Sequence, residues 1–210
     1  MTSLSTLARA ARLGAARKRG VTLIEAVLYI SIALALIVGG LVFFQQASLA
    51  QRTNSAVRNI SAIASEARGL YQASQNFNGL TQSTLINAGA VPTSIVNGAN
   101  LQNEWTGAIT VASNATGVTS ADDSFFVVYE NVPTSACTRL ASADGSGAGR
   151  VGSGIVSVGF RNGGTTGTYT TYLASGSLLT PGLVSGYCNT AATATGGTAG
   201  IVDMQFLFAR

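Results

Sequence analysis

One acidic residue, Glu25, lies at the edge of an uncharged stretch, where an ionised side chain has no obvious partner. From Ala26 to Gln51 the sequence has no charged residue. An ionised carboxylate inside a bilayer costs about 2.5–3.5 kcal/mol on insertion scales, so we expect Glu25 to have a functional role. If the chain is cut between Gly20 and Val21, a new α-amino group with a pKa of about 8 lies four residues before Glu25. That amine can neutralise the carboxylate in its own chain or in a neighbouring one.

The segment around this acid is typical of a membrane-inserted chain with a basic leader. Residues 1–20 contain five basic side chains and no acidic one, and they end in Arg17-Lys18-Arg19-Gly20. Ala26–Phe44 is almost purely apolar, and as a helix this run is long enough to cross a bilayer core of about 30 Å. Basic residues before an apolar segment favour retention of the leader on the cytoplasmic side.

Two simpler interpretations of the first 50 residues remain open. One is an ordinary secretory signal peptide, for which Ser48-Leu49-Ala50 supplies small residues before a cut at Gln51. The apolar run is, however, longer than the usual stretch of about 7–15 residues, and this interpretation leaves Glu25 unexplained. The other is a plain membrane anchor attached to an unrelated domain.

The sequence predicts one continuous helix from about Thr22 to about Ser74, with an apolar half, 21–51, and an amphipathic half, 52–76. Apolar residues recur in the second half at spacings of three and four, which is typical of a helix with one buried face. Asn and Gly residues in 76–79 are suited to end the helix. The predicted buried face consists of Val57, Ile60, Ile63, Ala64, Ala67, Leu70 and Tyr71.

Two adjacent glycines, Gly39 and Gly40, lie inside the apolar half of this helix. Each lowers helix stability by roughly 1 kcal/mol relative to alanine. They either permit close packing between helices, as small residues do, or mark a point where the helix loosens when subunits assemble. The sequence leaves both alternatives open.

Residues 77–210 have the texture of a β-rich globular head, with short β-branched and aromatic runs between turn-rich segments. We therefore predict an α+β fold in which the amphipathic half of the helix packs on an antiparallel sheet. The Ala/Thr/Gly run at 191–200 is predicted to be a loop. The predicted strands are Ala108–Val111, Ser124–Glu130, Ile155–Phe160, Thr168–Leu173 and Ile201–Phe208. The residues expected to cover the helix are Phe126, Val128, Val156, Val158 and Phe206.

The two cysteines, Cys137 and Cys188, both follow the apolar segment and would both be exported. Two thiols in an oxidising compartment are most simply one disulfide, although two unpaired buried thiols remain an alternative.

The residue inventory argues against an enzyme. The chain has no histidine, and its one lysine, Lys18, lies in the leader. Asp122 and Asp123 are interpreted as solvated residues of a turn, and Trp105 as an anchor within the head. Without an evident base or a metal-ligand cluster, we expect no catalytic residue, no metal site and no cofactor.

The net charge of +4 comes from the leader. Outside residues 1–20 there are seven basic and eight acidic side chains, which gives a net charge of −1. No basic stripe remains on the body of the protein, so we expect no nucleic-acid binding through a basic patch.

The N-terminal pattern resembles the class III signal of type IV prepilins. The similar residues are Gly20-Val21-Thr22-Leu23-Ile24-Glu25, preceded by Lys18-Arg19 and followed by a long apolar helix. The resemblance implies that a membrane prepilin peptidase cuts after Gly20 and methylates the amine of Val21. It also implies that Glu25 meets the terminal amine of an adjacent subunit during assembly.

Two other features of the chain resemble the type IVb branch of that family. They are the 20-residue leader and the segment Asn103-Glu104-Trp105-Thr106-Gly107. The resemblance implies that Cys137 and Cys188 bound a disulfide-closed D-region, 137–188. One departure is the strand-like tail, Val202–Phe208, that follows the second cysteine.

The resemblance predicts a structural subunit, most simply the major pilin of a type IVb pilus for adhesion, aggregation or conjugative contact. A minor pilin or a type II secretion pseudopilin is an alternative, and a membrane-anchored binding domain that never polymerises is another. The implied partners are further copies of the chain, the prepilin peptidase and the inner-membrane assembly platform. The implied locations are the inner membrane and then an extracellular filament of a Gram-negative bacterium.

Overall fold

The computed structural model describes five stretches of the chain, which divide between two compact units. The first unit ends at Phe44 and the second begins at Gln45. The leader, the cut at Gly20 and Val21, and the acidic pair Asp122-Asp123 lie outside the described residues. The described residues are 22–74, 76–114, 124–142, 154–171 and 180–209.

A single helix, α1 (Leu23–Leu70), contributes residues to both units. No proline occurs along its length, and Arg68 lies in its last turn, where a cation interacts favourably with the helix dipole. The helix ends four residues before the predicted end at Ser74. The chain then passes through turns to Gly79, whose φ of +78° is a conformation that favours glycine.

The part of α1 in the second unit buries one face. Of the predicted face, Ile60, Ile63, Ala64 and Ala67 are buried, as expected from their spacing. Val57 and Tyr71 are only partly buried, and Leu70 is exposed. The face also includes Thr53, whose hydroxyl donates to the carbonyl of Leu49, and Ala56.

Among the described residues, the head is built on one seven-stranded sheet in the order β1-β2-β3-β4-β7-β5-β6, with every neighbouring pair antiparallel. The C-terminal strand lies between β4 and β5, so the tail after the second cysteine belongs to the centre of the sheet. The strands are β1 (Val96–Asn97), β2 (Asn100–Gln102), β3 (Ala108–Ser113), β4 (Ser124–Pro133), β5 (Ile155–Asn162), β6 (Thr170–Thr171) and β7 (Ile201–Ala209).

The face of β4 that joins the core differs from the prediction. Phe125, Val127 and Tyr129 belong to the hydrophobic core that includes α1, whereas Phe126 and Val128 do not. The run from Phe125 to Tyr129 is apolar at every position, so its alternation does not indicate which set faces inward. On the neighbouring strands, Val158 and Phe206 lie in the core as predicted, while Val156 is half-buried.

Short helices replace part of what the sequence indicated as loop. The predicted loop at 191–200 is wrong at its start, because the last helix extends to Thr193. The predicted strand Thr168–Leu173 is described only as the two residues of β6, and its last two residues lie outside the described part. The helices of the head are α2 (Gln82–Asn87), a 3-10 turn (Thr93–Ile95), α3 (Thr134–Ala141) and α4 (Pro181–Thr193).

Candidate assembly segment and disulfide-linked head

The first turns of α1 expose both an acid and a broad apolar surface. Glu25 is exposed in the first turn, and its backbone N–H donates to the hydroxyl of Thr22 at 3.4 Å. A carboxylate at this end of a helix is favoured by the helix dipole. The exposed large apolar side chains from this turn to the end of the first unit are Leu23, Ile24, Val27, Leu28, Tyr29, Ile30, Ile32, Leu34, Leu36, Ile37, Val38, Leu41, Val42, Phe43 and Phe44.

Among the described residues, α1 is the one helix that is long and apolar enough to cross a membrane. The most apolar stretch of α1 has no residue buried within the protein. A surface this large and apolar requires cover from a lipid phase or from other protein.

Gly39 and Gly40 lie within this exposed part of α1. A Cβ added at either position would have no heavy atom within 4 Å. Packing among the described residues therefore does not require glycine at either position. Their predicted role, in helix packing or in helix loosening, concerns contacts outside the single chain and stays a prediction.

A disulfide joins Cys137 on α3 to Cys188 on α4, with 6.1 Å between the two Cα atoms. Both cysteines are fully buried. In the chain, α3 directly follows β4 and α4 directly precedes β7, so the bond joins the helices that are next in sequence to two neighbouring strands of the sheet. Sequence reasoning paired the two cysteines but did not identify the helices that carry them.

The segment Asn103–Gly107 is a tight turn held by one buried side chain. The side-chain oxygen Oδ1 of Asn103 accepts hydrogen bonds from the backbone N–H groups of Trp105 and Gly107, each at 2.9 Å. Asn103 Nδ2 donates to the backbone carbonyl of Glu130 at 2.6 Å. A side chain at Gly107 would overlap that same carbonyl, so only glycine allows this approach. Trp105 packs against the hydrophobic core, as an anchor of the head would.

Glu104, in the same turn, connects it to α1. Asn59 Nδ2 donates to Glu104 Oε1 at 2.6 Å, and Arg52 Nη1 donates to the backbone carbonyl of Glu104 at 3.4 Å. Partial burial raises the pKa of the Glu104 carboxyl, because desolvation disfavours its charged form. The turn is therefore fixed to the helix by polar contacts as well as by the core.

A buried acid on β7 holds the only arginine of β5. Arg161 Nη2 donates to Asp203 Oδ2 at 2.8 Å, while Asp203 Oδ1 accepts from the N–H of Asn131 at 3.0 Å. The guanidinium lies 4.4 Å from the ring centroid of Tyr169, and burial raises the pKa of Tyr169 to about 12. Asn131 lies at a register shift of β4 with a φ of +58°. Sequence reasoning missed this cluster because its members are far apart in the chain.

Within the described ranges, no group of three or more acidic, cysteine or histidine side chains is placed to hold a metal ion. The arrangement instead combines an exposed apolar helix, a terminal acid and a disulfide-linked head on an antiparallel sheet. These features define the class of type IV pilins, which are structural proteins.

Comparison with known proteins gives the family within that class. The chain belongs to the PilS N-terminal family, which matches residues 50–195. This assignment confirms the predicted resemblance to type IVb pilins, and it supports a structural protein rather than an enzyme.

The chain is also similar to the major structural subunit of bundle-forming pilus from two Escherichia coli strains, O127:H6 (E2348/69, EPEC) and O111:H-. Identity to each is 24% over 129 residues, which is 60% of this chain. The match spans 64% of the length of these relatives.

Two solved structures share the fold, which confirms the predicted α+β architecture. The type IVb pilin of Salmonella typhi has 22% identity and a TM-score of 0.50, with 73% of this chain and 97% of that chain covered. TcpA, a type IV pilin from Vibrio cholerae El Tor, has 11% identity and a TM-score of 0.52, with 76% and 99% covered.

Proposed function

We propose that this protein is a structural subunit of a type IVb pilus, and most simply its major pilin. The observation that carries the proposal is the division of α1 into an exposed apolar part and a part buried in the head. A subunit needs the first part for a membrane and then for contact with other subunits, and the second to hold the head. The similarity to the major subunit of a bundle-forming pilus supports the choice of a major pilin. A minor pilin or a secretion pseudopilin is the alternative.

Maturation would begin in the inner membrane. A prepilin peptidase would cut between Gly20 and Val21 and methylate the new terminus, removing the leader, 1–20. Residues 21–51 would then serve first as the membrane segment and later as the core of the filament. Residues 52–76 would continue the helix into the head, 77–210, whose D-region lies between the two cysteines.

Glu25 would set the position of each incoming subunit. An unpaired charge buried in a helical bundle is costly, whereas a charge with its partner is tolerated. A subunit is therefore favoured at the height where its Glu25 or its terminal amine meets the opposite group on the previous subunit. The apolar side chains beside Glu25 supply packing but little register, because a sliding apolar helix makes similar contacts at many heights.

The partners of this process would be further copies of the chain, the prepilin peptidase and the inner-membrane assembly platform. The product would be an extracellular filament on a Gram-negative bacterium, used for attachment, aggregation or conjugative contact. Electron microscopy of fibres sheared from cells, with the chain identified by mass spectrometry and by immunogold labelling, tests this proposal. We expect labelling along the fibre. Labelling confined to the cell envelope would favour a membrane-anchored protein that does not polymerise, and labelling of fibre tips alone would favour a minor pilin.

A further inference from the structure

The chain has three asparagines that are followed directly by glycine, namely Asn78, Asn97 and Asn162. Asparagine is a thermally labile residue, because the backbone nitrogen of the next residue can attack its side-chain amide carbon. A glycine in the next position favours this attack, since it has no side chain to block the approach and its backbone rotates freely. The three pairs have the same local chemistry, so any difference in their reactivity must come from their surroundings in the fold.

The pair Asn162-Gly163, at the end of β5, is held at each group that the reaction uses. Asn162 is only 5% exposed, and its Nδ2, the nitrogen that would leave, donates to the backbone carbonyl of Ala194. The N–H of Gly163, the nitrogen that would attack, donates to the carbonyl of Ile201 at 3.1 Å. Asn162 is also paired with Val202 of β7. Reaction at this pair therefore requires β5 to separate from β7.

The pair Asn78-Gly79 is exposed, but it lies in a turn that is fixed at both ends. The N–H of Leu80 donates to the carbonyl of Phe77 at 3.0 Å, and both of these side chains are buried. The N–H of Asn78 donates to Oδ1 of Asn76 at 3.2 Å. Rotation of the Asn78 side chain and backbone toward the nitrogen of Gly79 would disturb this turn.

The pair Asn97-Gly98 has the least restrained surroundings of the three. Both residues are exposed at the turn between β1 and β2, where Gly98 has a φ of +64°. A Cβ added at Gly98 would have no heavy atom within 4 Å. Asn97 Nδ2 donates to Gln102 Oε1 at 3.2 Å in an exposed contact that water can replace. Because β1 has two residues and lies at one edge of the described sheet, its local opening breaks few hydrogen bonds.

We propose that Asn97 is a site of spontaneous deamidation on the surface of the head. The nitrogen of Gly98 attacks Cγ of Asn97, and a new C–N bond closes a succinimide ring. The bond from Cγ to Nδ2 breaks, and Nδ2 leaves as ammonia with the proton that Gly98 loses. One water molecule then opens the ring at either carbonyl, which gives aspartate or isoaspartate. Water is the sole co-reactant, and nothing is oxidised or reduced.

The reaction changes both the charge and the backbone of this turn. Either product places a carboxylate near Gln102, where the amide of Asn97 donated a hydrogen bond. Isoaspartate also lengthens the backbone by one methylene, at the point where Asn97 pairs with Asn100 across a two-residue turn. On a filament, the added charge would repeat at every subunit and increase with the age of the fibre. That last consequence rests on the proposed function, whereas the reaction itself does not.

Incubation of the folded full chain in detergent micelles at mildly alkaline pH, followed by peptide mapping with tandem mass spectrometry, tests this proposal. We expect Asn97 to convert at least about tenfold faster than Asn162, because Asn162 reacts only when the sheet opens, and we expect Asn78 to lie between them. In concentrated urea all three should convert at similar rates. Asn78 or Asn162 ahead of Asn97 in the folded chain, or no conversion of Asn97 where the unfolded chain reacts, would overturn the proposal. Because the chain is studied in micelles, the result does not depend on polymerisation.

Two variants at the same position separate the chemistry from its structural effect. Asn97→Gln should stop conversion at this position and leave conversion at Asn78 unchanged, because glutamine would have to close a larger and less favourable ring. Freshly prepared Asn97→Asp carries the charge of the product on a backbone of normal length. Amide hydrogen exchange in residues 96–102 should be faster in isoaspartyl chains than in wild type, and unchanged in Asn97→Asp. Faster exchange in both would contradict the assignment of the effect to the lengthened backbone, and continued deamidation of the turn in Asn97→Gln would contradict the site.

Discussion

Two isoleucines on α1 occupy opposite surroundings within the same helix. Ile30, in the first unit, is 60% exposed, whereas Ile60, in the second unit, is fully buried. Backbone conformation and side-chain type are the same at both positions, so neither explains the difference. What differs is the surroundings: among the described residues, a sheet and short helices cover Ile60, whereas Ile30 remains exposed.

The comparison shows which part of the helix a single chain completes. From Thr53 to Ala67, buried residues recur on one face of the helix, and other residues of the same chain cover them. From Leu23 to Phe44, the large apolar side chains are exposed in the described part of the chain, so we expect a lipid phase or other protein to cover them. We call Leu23–Phe44 the uncovered part of α1 and Thr53–Ala67 the covered part. Substitutions in the uncovered part should therefore change assembly, and substitutions in the covered part should change the stability of the head.

The largest effect is expected at Glu25, in the uncovered part. Glu25→Val should leave membrane insertion and the disulfide intact but lower filament yield by about tenfold or more, because the terminal amine proposed at Val21 would lose its partner in a low-dielectric core. Quantitative immunoblotting of sheared fibres against total protein measures this. Glu66→Gln is the control. Glu66 is an exposed residue between Thr53 and Ala67, and the variant should assemble normally. Abundant filaments of normal diameter from the Glu25→Val strain would contradict the mechanism.

The disulfide joins α3 and α4 in the head, so its loss should act on the stability of the head and not on assembly. The cysteines are 51 residues apart, so a Cys137→Ala/Cys188→Ala variant should lose about 4 kcal/mol of head stability on the chain-entropy account. Urea unfolding of the purified chain, without reductant, measures the difference. A second check is alkylation of the denatured, non-reduced wild type, which should modify neither cysteine. Full alkylation of both would show that the bond does not form in cells.

The two isoleucines provide the direct test of the comparison. Ile60→Ala should destabilise the head by about 2–5 kcal/mol, because it leaves a cavity in a well-packed core. Ile30→Ala is the matched variant on the same helix and should change head stability by less than about 0.5 kcal/mol. The free energy of unfolding in urea, followed by the fluorescence of Trp105, gives both values. A similar loss in both variants would mean that the two parts of α1 are not energetically distinct.

The smallest effect is expected at Glu104, which contacts the covered part through Asn59. Burial raises its pKa in the folded head above the ordinary value of 4.5. A raised carboxyl pKa contributes stability below about pH 4.5 that is lost as the pH rises through the folded-state value. Glu104→Gln keeps an acceptor for Asn59 and should remove this loss, so its advantage over wild type should grow as the pH rises from 4.5 to 7. Urea unfolding across that range measures it, and a constant difference would contradict the expectation.

Much of this architecture could be predicted from sequence because its signals are local. The apolar first half of the helix is evident from composition. Apolar residues at spacings of three and four predict the buried face, which includes Ile60, Ile63, Ala64 and Ala67. The strands of the centre of the sheet were also located. The inward face of β4 was not, because every residue from Phe125 to Tyr129 is apolar.

The structural features that could not be predicted from the sequence depend on long-range contacts. The helix α3 is only 8 residues long and α4 has little apolar periodicity, so neither gives a strong signal in the sequence, and the disulfide links the two. The cluster of Arg161, Asp203 and Tyr169 forms only when β5 and β7 pair. The close approach of Gly197 to Asn162 is likewise a long-range contact that no spacing in the sequence indicates.

The central claim is that the uncovered half of α1 becomes the core of a filament after the leader is removed. Intact-mass and N-terminal analysis of the chain recovered from sheared fibres tests it most directly. The account predicts a chain that begins at Val21 with a methylated amine. A chain that begins at Gln51, or one that retains the leader, would contradict it, because the first lacks the apolar helix and the second lacks the amine that pairs with Glu25.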